Sequence, residues 1–336
     1  MSGQRRGFVC GGSWALDRIK IVDHWPVEEK LARITGTDQQ GGGSAHNFGV
    51  DMRKLDPTMP VDAIGLFGDD PDGDFLYDRA AEVGIDTTQL HRTGDAVTSY
   101  TDVMTVADSG KRTFFHHPGT SDLLTPDHFD FTSTTCRILH LGLLGIHRRM
   151  DAPWAGDANG WVTVLKHAKA AGLDTNLELV SIESDRLRQI SRPCLPYADT
   201  LIANDHEIGS VASVATVVDG RTDPDRCRQA ALAVLGEGAL RLVAVHFPEG
   251  AICATRDGEV FESSSVAVPV DEIGSTVGAG DAFAAGMLYA VHEGWPIRNA
   301  MELAHATAAM SLRSRTTVGS VEDVDTCLES AGFTRP

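Results

Sequence analysis

From residue 130 to the C-terminus, short β-branched or leucine-rich runs alternate with longer stretches whose apolar positions recur at helical spacing. That alternation predicts βαβ units around a parallel sheet. Residues 138–144 read as a buried strand, and 161–171 as a helix that Gly172 is placed to end. Residues 200–203 form a strand running into Asn204, Asp205, His206 and Glu207, and 240–245 form another. Residues 252–255 and 260–268, joined through Gly258 and Glu259, read as a hairpin-like edge. The first third differs. A strand over 61–67 and a helix over 73–83 fit the same scheme, but 99–106 and 112–117 alternate as two strands joined by a turn, and 15–22 reads as a third. The expected class is α/β: a central, mostly parallel sheet flanked by helices, plus a small antiparallel β lid. Neither a repeat nor a Pro/Ser linker interrupts the chain, so one domain is expected over 1–336, with the lid built from about 13–40 and 93–120.

Composition narrows the chemistry. Against 47 acidic residues stand 29 basic ones, a formal charge of −18, which leaves no basic field for a nucleic-acid backbone or an anionic membrane. No run approaches the roughly 18–20 apolar residues of a membrane span, and the N-terminus lacks a signal-peptide core, so a cytoplasmic location is expected. The six cysteines are scattered without metal-site spacing and are expected to be reduced and buried. Glycine is the informative surplus, at 34 residues clustered in part at 41–43 and 278–280.

After Asp281 the apolar positions Phe283, Met287, Ala290 and Val291 fall at helical spacing, and Gly294 followed by Trp295 and Pro296 ends the helix. Gly278, Ala279 and Gly280 therefore sit in the turn that feeds a helix N-terminus. Free backbone N–H groups, the helix dipole and small residues there suit an anion, with a phosphoryl group the natural guest. Asp281 is placed to accept a proton from a hydroxyl that attacks the phosphorus. The bland alternative is a tight turn with an aspartate helix cap.

The longer string resolves in one direction. Ser275 to Asp281, read with Ala285 to Leu288, resembles the C-terminal motif of the pfkB, or ribokinase-like, family of carbohydrate kinases. The resemblance implies an anion hole at Gly278, Ala279 and Gly280, with Asp281 as catalytic base. Gly42, Gly43 and Asn47 look like the family's N-terminal sugar-binding element, and Asp17 stands where the family anchors sugar hydroxyls. Asn204 and Glu207 match its Asn-x-x-Glu, which holds Mg²⁺ through water; Thr276 and His305 fall where the family meets the nucleotide. Each has a plainer reading: Asn47 as the cap of a helix beginning at Phe48, Glu207 as a helix-entry glutamate, Asp17 as a surface residue and His305 as a satisfied helix histidine.

The resemblance implies an enzyme: an ATP- and Mg²⁺-dependent kinase that phosphorylates an alcohol, most often a hydroxymethyl group, of a small sugar or nucleoside. Ser275 replaces an acidic residue that many members use for a monovalent-cation site, which puts K⁺ activation in doubt. Ser44 stands where phosphosugar branches carry a lysine, so an unphosphorylated acceptor is favoured over a phosphofructokinase-type substrate. At 119–122 the chain departs from the family's lid pattern, and one each of Phe114/Phe115 and His116/His117 is expected to face the substrate. Both a monomer and a homodimer paired through the lids fit the family. A non-catalytic nucleotide- or sugar-binding regulator on the same fold is the alternative. A dinucleotide-dependent dehydrogenase is excluded by the spacing around Gly11 and Gly12.

Overall fold

The computed structural model describes residues 5–314 and 316–336. The chain opens with β1 (Phe8–Gly12), β2 (Ala15–Val22) and β3 (Ile34–Gly42), then α1 (Ser44–Leu55), β4 (Val61–Gly68), α2 (Pro71–Glu82) and β5 (Asp86–Thr93). Next come β6 (Tyr100–Val106), β7 (Arg112–His117), β8 (Ile138–Gly142), α3 (Gly160–Ala170), β9 (Asp174–Glu178), α4 (Ser184–Ser191) and β10 (Thr200–Asn204). They are followed by α5 (Asp205–Ala212), β11 (Val217–Val218), β12 (Arg221–Thr222), α6 (Pro224–Glu237), β13 (Leu242–Phe247), β14 (Gly250–Thr255) and β15 (Val260–Ser264). Last come α7 (Ala279–His292), α8 (Ile297–Leu312) and α9 (Val324–Ser330).

The large sheet has nine strands in the order β15-β14-β13-β10-β9-β8-β1-β4-β5. Pairings from β13 through β5 are parallel, whereas β13–β14 and β14–β15 are antiparallel. The edge hairpin expected near 252–268 is thus present, with its last strand ending at Ser264. Strand β9 lies at the middle of the sheet and carries Asp174, Asn176 and Glu178 on one face, a polar alternation that hydrophobic periodicity passes over.

Two cores clothe the sheet. On one face Phe48, Met52, Phe283, Met287, Met301 and Leu303 bring α1, α7 and α8 onto the strands, and on the other Trp161, Leu187, Ile208 and Ala231 bring α3 to α6. Each fully buried large side chain of this kind contributes about 1.5–3 kcal/mol. Gly286 is needed where α7 and α8 cross: a Cβ there would stand 2.7 Å from Thr307 Oγ1 and 2.8 Å from the Leu303 carbonyl.

The small sheet runs β3-β2-β6-β7. Its two outer pairings are antiparallel, as expected of a mostly antiparallel lid, but the central pair β2–β6 is parallel, and β3 adds a fourth strand. Sequence alternation reports which residues share a face, not which way a neighbour runs. Strand β3 ends at Gly42 and passes through Gly43 into α1, so the small sheet and the site helix share one covalent corner.

Asp51 lies in α1, one turn beyond Asn47, fully buried, and neither carboxyl oxygen has a hydrogen-bond partner. Burial first, then the neighbouring Asp281 charge, push its pKa well above the usual carboxylate range, with Lys54 opposing. The folded state therefore keeps a proton that the unfolded chain gives up near pH ~4. Stability tied to that proton is complete below the unfolded value and is lost as pH rises toward the folded one. Asp51→Asn is expected to flatten the fall in Tm between about pH 5 and about pH 8. Parallel Tm curves for the two proteins in a calorimetric pH series would show that the proton sits elsewhere.

Candidate active site

Gly278 caps α7 with φ of 90°, a left-handed conformation in which a Cβ would come within 2.5 Å of the Thr317 carbonyl. The amides of Ala279, Gly280 and Asp281 then open the helix with no intrahelical acceptor, at the positive end of its dipole. Ala279 and Gly280 line a cleft of about 910 Å³ that runs between β13, α7 and α8 and is also bordered by Asn204, Thr276 and His305.

Asp281 does not cap this helix. Its Oδ2 accepts a 2.7 Å hydrogen bond from Asn47 Nδ2, across 234 residues of chain. Asn47 does not cap its own helix either: α1 begins at Ser44 after Gly43, which places Asn47 in the first turn. Its Oδ1 takes Thr317 Oγ1 at 3.1 Å and lies 3.1 Å from His46 Nδ1, so its amide N–H groups are left for Asp281. The predicted sugar-side asparagine and the predicted base are thus direct partners.

Asp17 faces the same space from β2. Gly42 sits opposite, where a Cβ would lie 2.6 Å from the Asp17 carboxyl, so the close approach of backbone to carboxylate requires glycine. Burial pushes the Asp17 pKa up to about 7; a hydrogen bond from Gln40 opposes that shift, Asp281 adds to it and Arg112 counters it. Arg112, from β7, donates a 2.6 Å hydrogen bond to Ser275 Oγ and so reaches from the small sheet to the loop before the anion-binding turn. The sequence placed Arg112 in a strand without giving it a task; a cation at a strand start has no signature beyond its charge.

Asn204 and Glu207 make the plainer, structural interaction: a reciprocal capping box at the start of α5, with Glu207 N to Asn204 Oδ1 at 2.9 Å and Asn204 N to Glu207 Oε2 at 3.0 Å. Ser181 Oγ adds a 3.0 Å bond to Glu207. Both residues nevertheless line a small cavity of about 120 Å³ together with Glu178, His246, Gly280 and Asp281. His305 borders the large cleft but is buried, 2.8 Å from Ser263 Oγ and edge-on to Phe283. On the small sheet, His117 stacks on Tyr100 and His116 bonds Thr101, while Phe114 and Phe115 are both half exposed.

Glu178 is the member that sequence reading missed. It ends β9 and lines the small cavity with Asp281, its pKa pushed up to about 7 by burial, with neighbouring Asp281 opposing and Glu207 adding. Asp281 is displaced well above its ordinary range by burial and then by Glu178, while Asn47 and His140 pull it back. The Asp-x-Asn-x-Glu alternation over 174–178 was the available signal.

The described residues include no helix long and apolar enough to cross a membrane, and all six cysteines are free and buried. Comparison with known proteins agrees with the geometry. The pattern described as pfkB family carbohydrate kinase matches residues 8–324. The 5-dehydro-2-deoxygluconokinase of Geobacillus thermodenitrificans is 24% identical, over 95% of this chain and 90% of its own length. The ATP-dependent ribose-1-phosphate kinase of Halopiger xanaduensis is 26% identical over 86% of each. In three dimensions the chain is similar to the Arabidopsis thaliana ribokinase solved with ribose and ATP, with a TM-score of 0.78 at 19% identity, covering 98% of this chain and 99% of that one. A mostly parallel sheet with a small second sheet, a glycine-led helix start carrying Asp281, and a family pattern spanning nearly the whole length together place this chain in the pfkB family of carbohydrate kinases.

Proposed function

We propose that the chain is an ATP-dependent phosphotransferase acting on a hydroxymethyl or other alcohol group of an unphosphorylated sugar or nucleoside, with Asp281 as general base. The Asn47–Asp281 hydrogen bond carries this reading, because it brings the residue expected to meet the acceptor and the residue expected to take its proton into one 2.7 Å contact. A carboxyl whose pKa is raised toward neutrality is a stronger base when ionised than an ordinary aspartate.

In this reading the acceptor lies between Asp17, Gly42, Gly43 and Asn47, under the small sheet acting as lid. Its hydroxyl gives a proton to Asp281 while its oxygen bonds the terminal phosphorus of ATP, and the bond from that phosphorus to the bridging oxygen breaks so that ADP leaves with that oxygen. The amides of residues 278–281 receive the equatorial oxygens, and the nucleotide occupies the cleft beside Thr276 and His305. The oxygen donors of Asn204 and Glu207 suit Mg²⁺ held through water, and the ion would supply charge neutralisation at the phosphates. A cytoplasmic location goes with this chemistry.

Arg112 favours an acidic acceptor within that class. It is the cation that the small sheet extends to Ser275 and toward Asp17. The relative from Geobacillus thermodenitrificans is named for a deoxygluconate, an unphosphorylated sugar acid. The exposed side chains Trp25, Val27, Leu31 and Phe115 give the lid an apolar patch on the face away from Asp17, on which Trp25 stacks against Phe115, and this supports pairing of two lids in a homodimer.

Asp281→Asn is expected to lose about 10²–10⁴-fold in turnover while still melting cooperatively. ADP release with Mg-ATP across sugars, sugar acids and nucleosides checks it, and near-normal turnover would remove Asp281 from the role of base. Arg112→Gln is expected to raise KM for an acidic acceptor about 10- to 100-fold, the weight of one hydrogen bond to a charged group, with a neutral acceptor little changed. Equal effects on both acceptors count against the acidic reading. Light scattering after size exclusion should give twice the 36.0 kDa chain mass; a Phe115→Glu variant should run as a monomer.

A further inference from the structure

The loop between α8 and α9 is fastened to β3, to α1 and to the start of α7, and Thr317 is where those contacts meet. Thr317 is only 1% exposed. Its backbone N–H donates to Gln40 Oε1 at 3.1 Å. Its hydroxyl proton lies between two acceptors, Asn47 Oδ1 at 3.1 Å and the Gly41 carbonyl at 3.3 Å. Its own carbonyl stands where a Cβ on Gly278 would come within 2.5 Å, so the loop and the glycine-led turn pack backbone against backbone. Lys54 of α1 holds the next two carbonyls, Val318 at 2.5 Å and Gly319 at 3.1 Å.

These contacts set the orientation of one amide. Asn47 Oδ1 faces Thr317 Oγ1 and, also at 3.1 Å, His46 Nδ1. The two N–H bonds of Nδ2 therefore point away from both, and one of them reaches Asp281 Oδ2 at 2.7 Å. An amide held at its oxygen presents its nitrogen at a fixed place. Without the Thr317 hydroxyl, only His46 would stand behind the Asn47 oxygen. On its other side Thr317 hangs from β3, where Gln40 is the register partner of Asp17 in β2 and Gly41 that of Leu16. One buried threonine, 270 residues beyond Asn47, thus joins the strand that pairs with Asp17 to the amide that meets Asp281.

We propose that Thr317 is a positioning residue for phosphoryl transfer. Anchored to β3 through its N–H, it orients Asn47 through its hydroxyl, and Asn47 in turn holds the Asp281 carboxyl toward the acceptor. This rests on the reading of Asp281 as base given above. Thr317 acts through Asn47 alone and meets neither nucleotide nor acceptor.

Thr317→Val keeps the backbone contacts and the branched shape and removes only the hydroxyl. It is expected to lower kcat for ADP release about 3- to 10-fold, the weight of one neutral hydrogen bond, with KM for ATP within about twofold of wild type. Thr317→Ser restores the hydroxyl and should return kcat to within about twofold of wild type. A serine variant as impaired as the valine variant overturns the proposal, as does a wild-type kcat in Thr317→Val. A double-mutant cycle gives the deciding readout: Thr317→Val should add nothing to the loss caused by Asn47→Ala, and full additivity overturns action through Asn47. If Thr317→Val does not fold, Thr317→Cys, of similar size with a weak donor, takes its place in the cycle. Near-normal turnover by Asp281→Asn removes the underlying base assignment instead, so the two failures are separable.

Discussion

A carboxylate in the first turn of a helix gains from the dipole and normally folds back onto a free backbone amide of its own turn. Asp281 is denied that position by Gly278, whose left-handed backbone turns the chain sharply into α7, and by Asn47, whose amide takes one carboxyl oxygen. The helix amides are thereby left open toward the cleft. Almost everything else around the site follows from that diversion: α1 must pack on α7, Gly43 must lead β3 into α1, and Thr317 must hold Asn47 in the right flip.

The diversion also explains how a chain of formal charge −18 can serve an anionic nucleotide. In the proposed reading the backbone amides at 278–281 meet the phosphates and the lid cation Arg112 lies toward the acceptor, while the carboxyls Asp17, Glu178, Glu207 and Asp281 crowd the floor. Carboxyls gathered this closely cannot all ionise cheaply, which is why several are displaced toward neutrality in the same direction. The acidity that disfavours polyanions at long range is, at short range, part of what holds these buried carboxyls toward their neutral forms.

The local elements and the glycine-led turn into α7 were legible because they are written in contiguous residues. Helical spacing after Asp281, the glycines before it and the stop at Gly294 are local signals, and the structure forms α7 where they point. Asn204 and Glu207 were legible too, but as a pair with two compatible tasks: the structure shows the capping box outright, and their place on the small cavity is what remains available to a metal's water. The plainer reading of Asn47 as a cap fails, because the helix starts four residues earlier than a cap at Asn47 requires.

Glu178 and Arg112 were not legible, for one reason: their meaning lies in residues far away along the chain. Glu178 matters through His140, 38 positions before it in the numbering, and Asp281, 103 after, and Arg112 through Ser275. Register between β8, β9 and β10 set His140, Asn176 and Thr200 side by side, and no alternation within one strand encodes its neighbours' register or direction, as the parallel β2–β6 pair also shows. Periodicity and glycine placement act through the nearest few residues and so could be read directly. The carboxyls around the small cavity needed packing to remove water and bring distant charges together, and only the folded sheet does that.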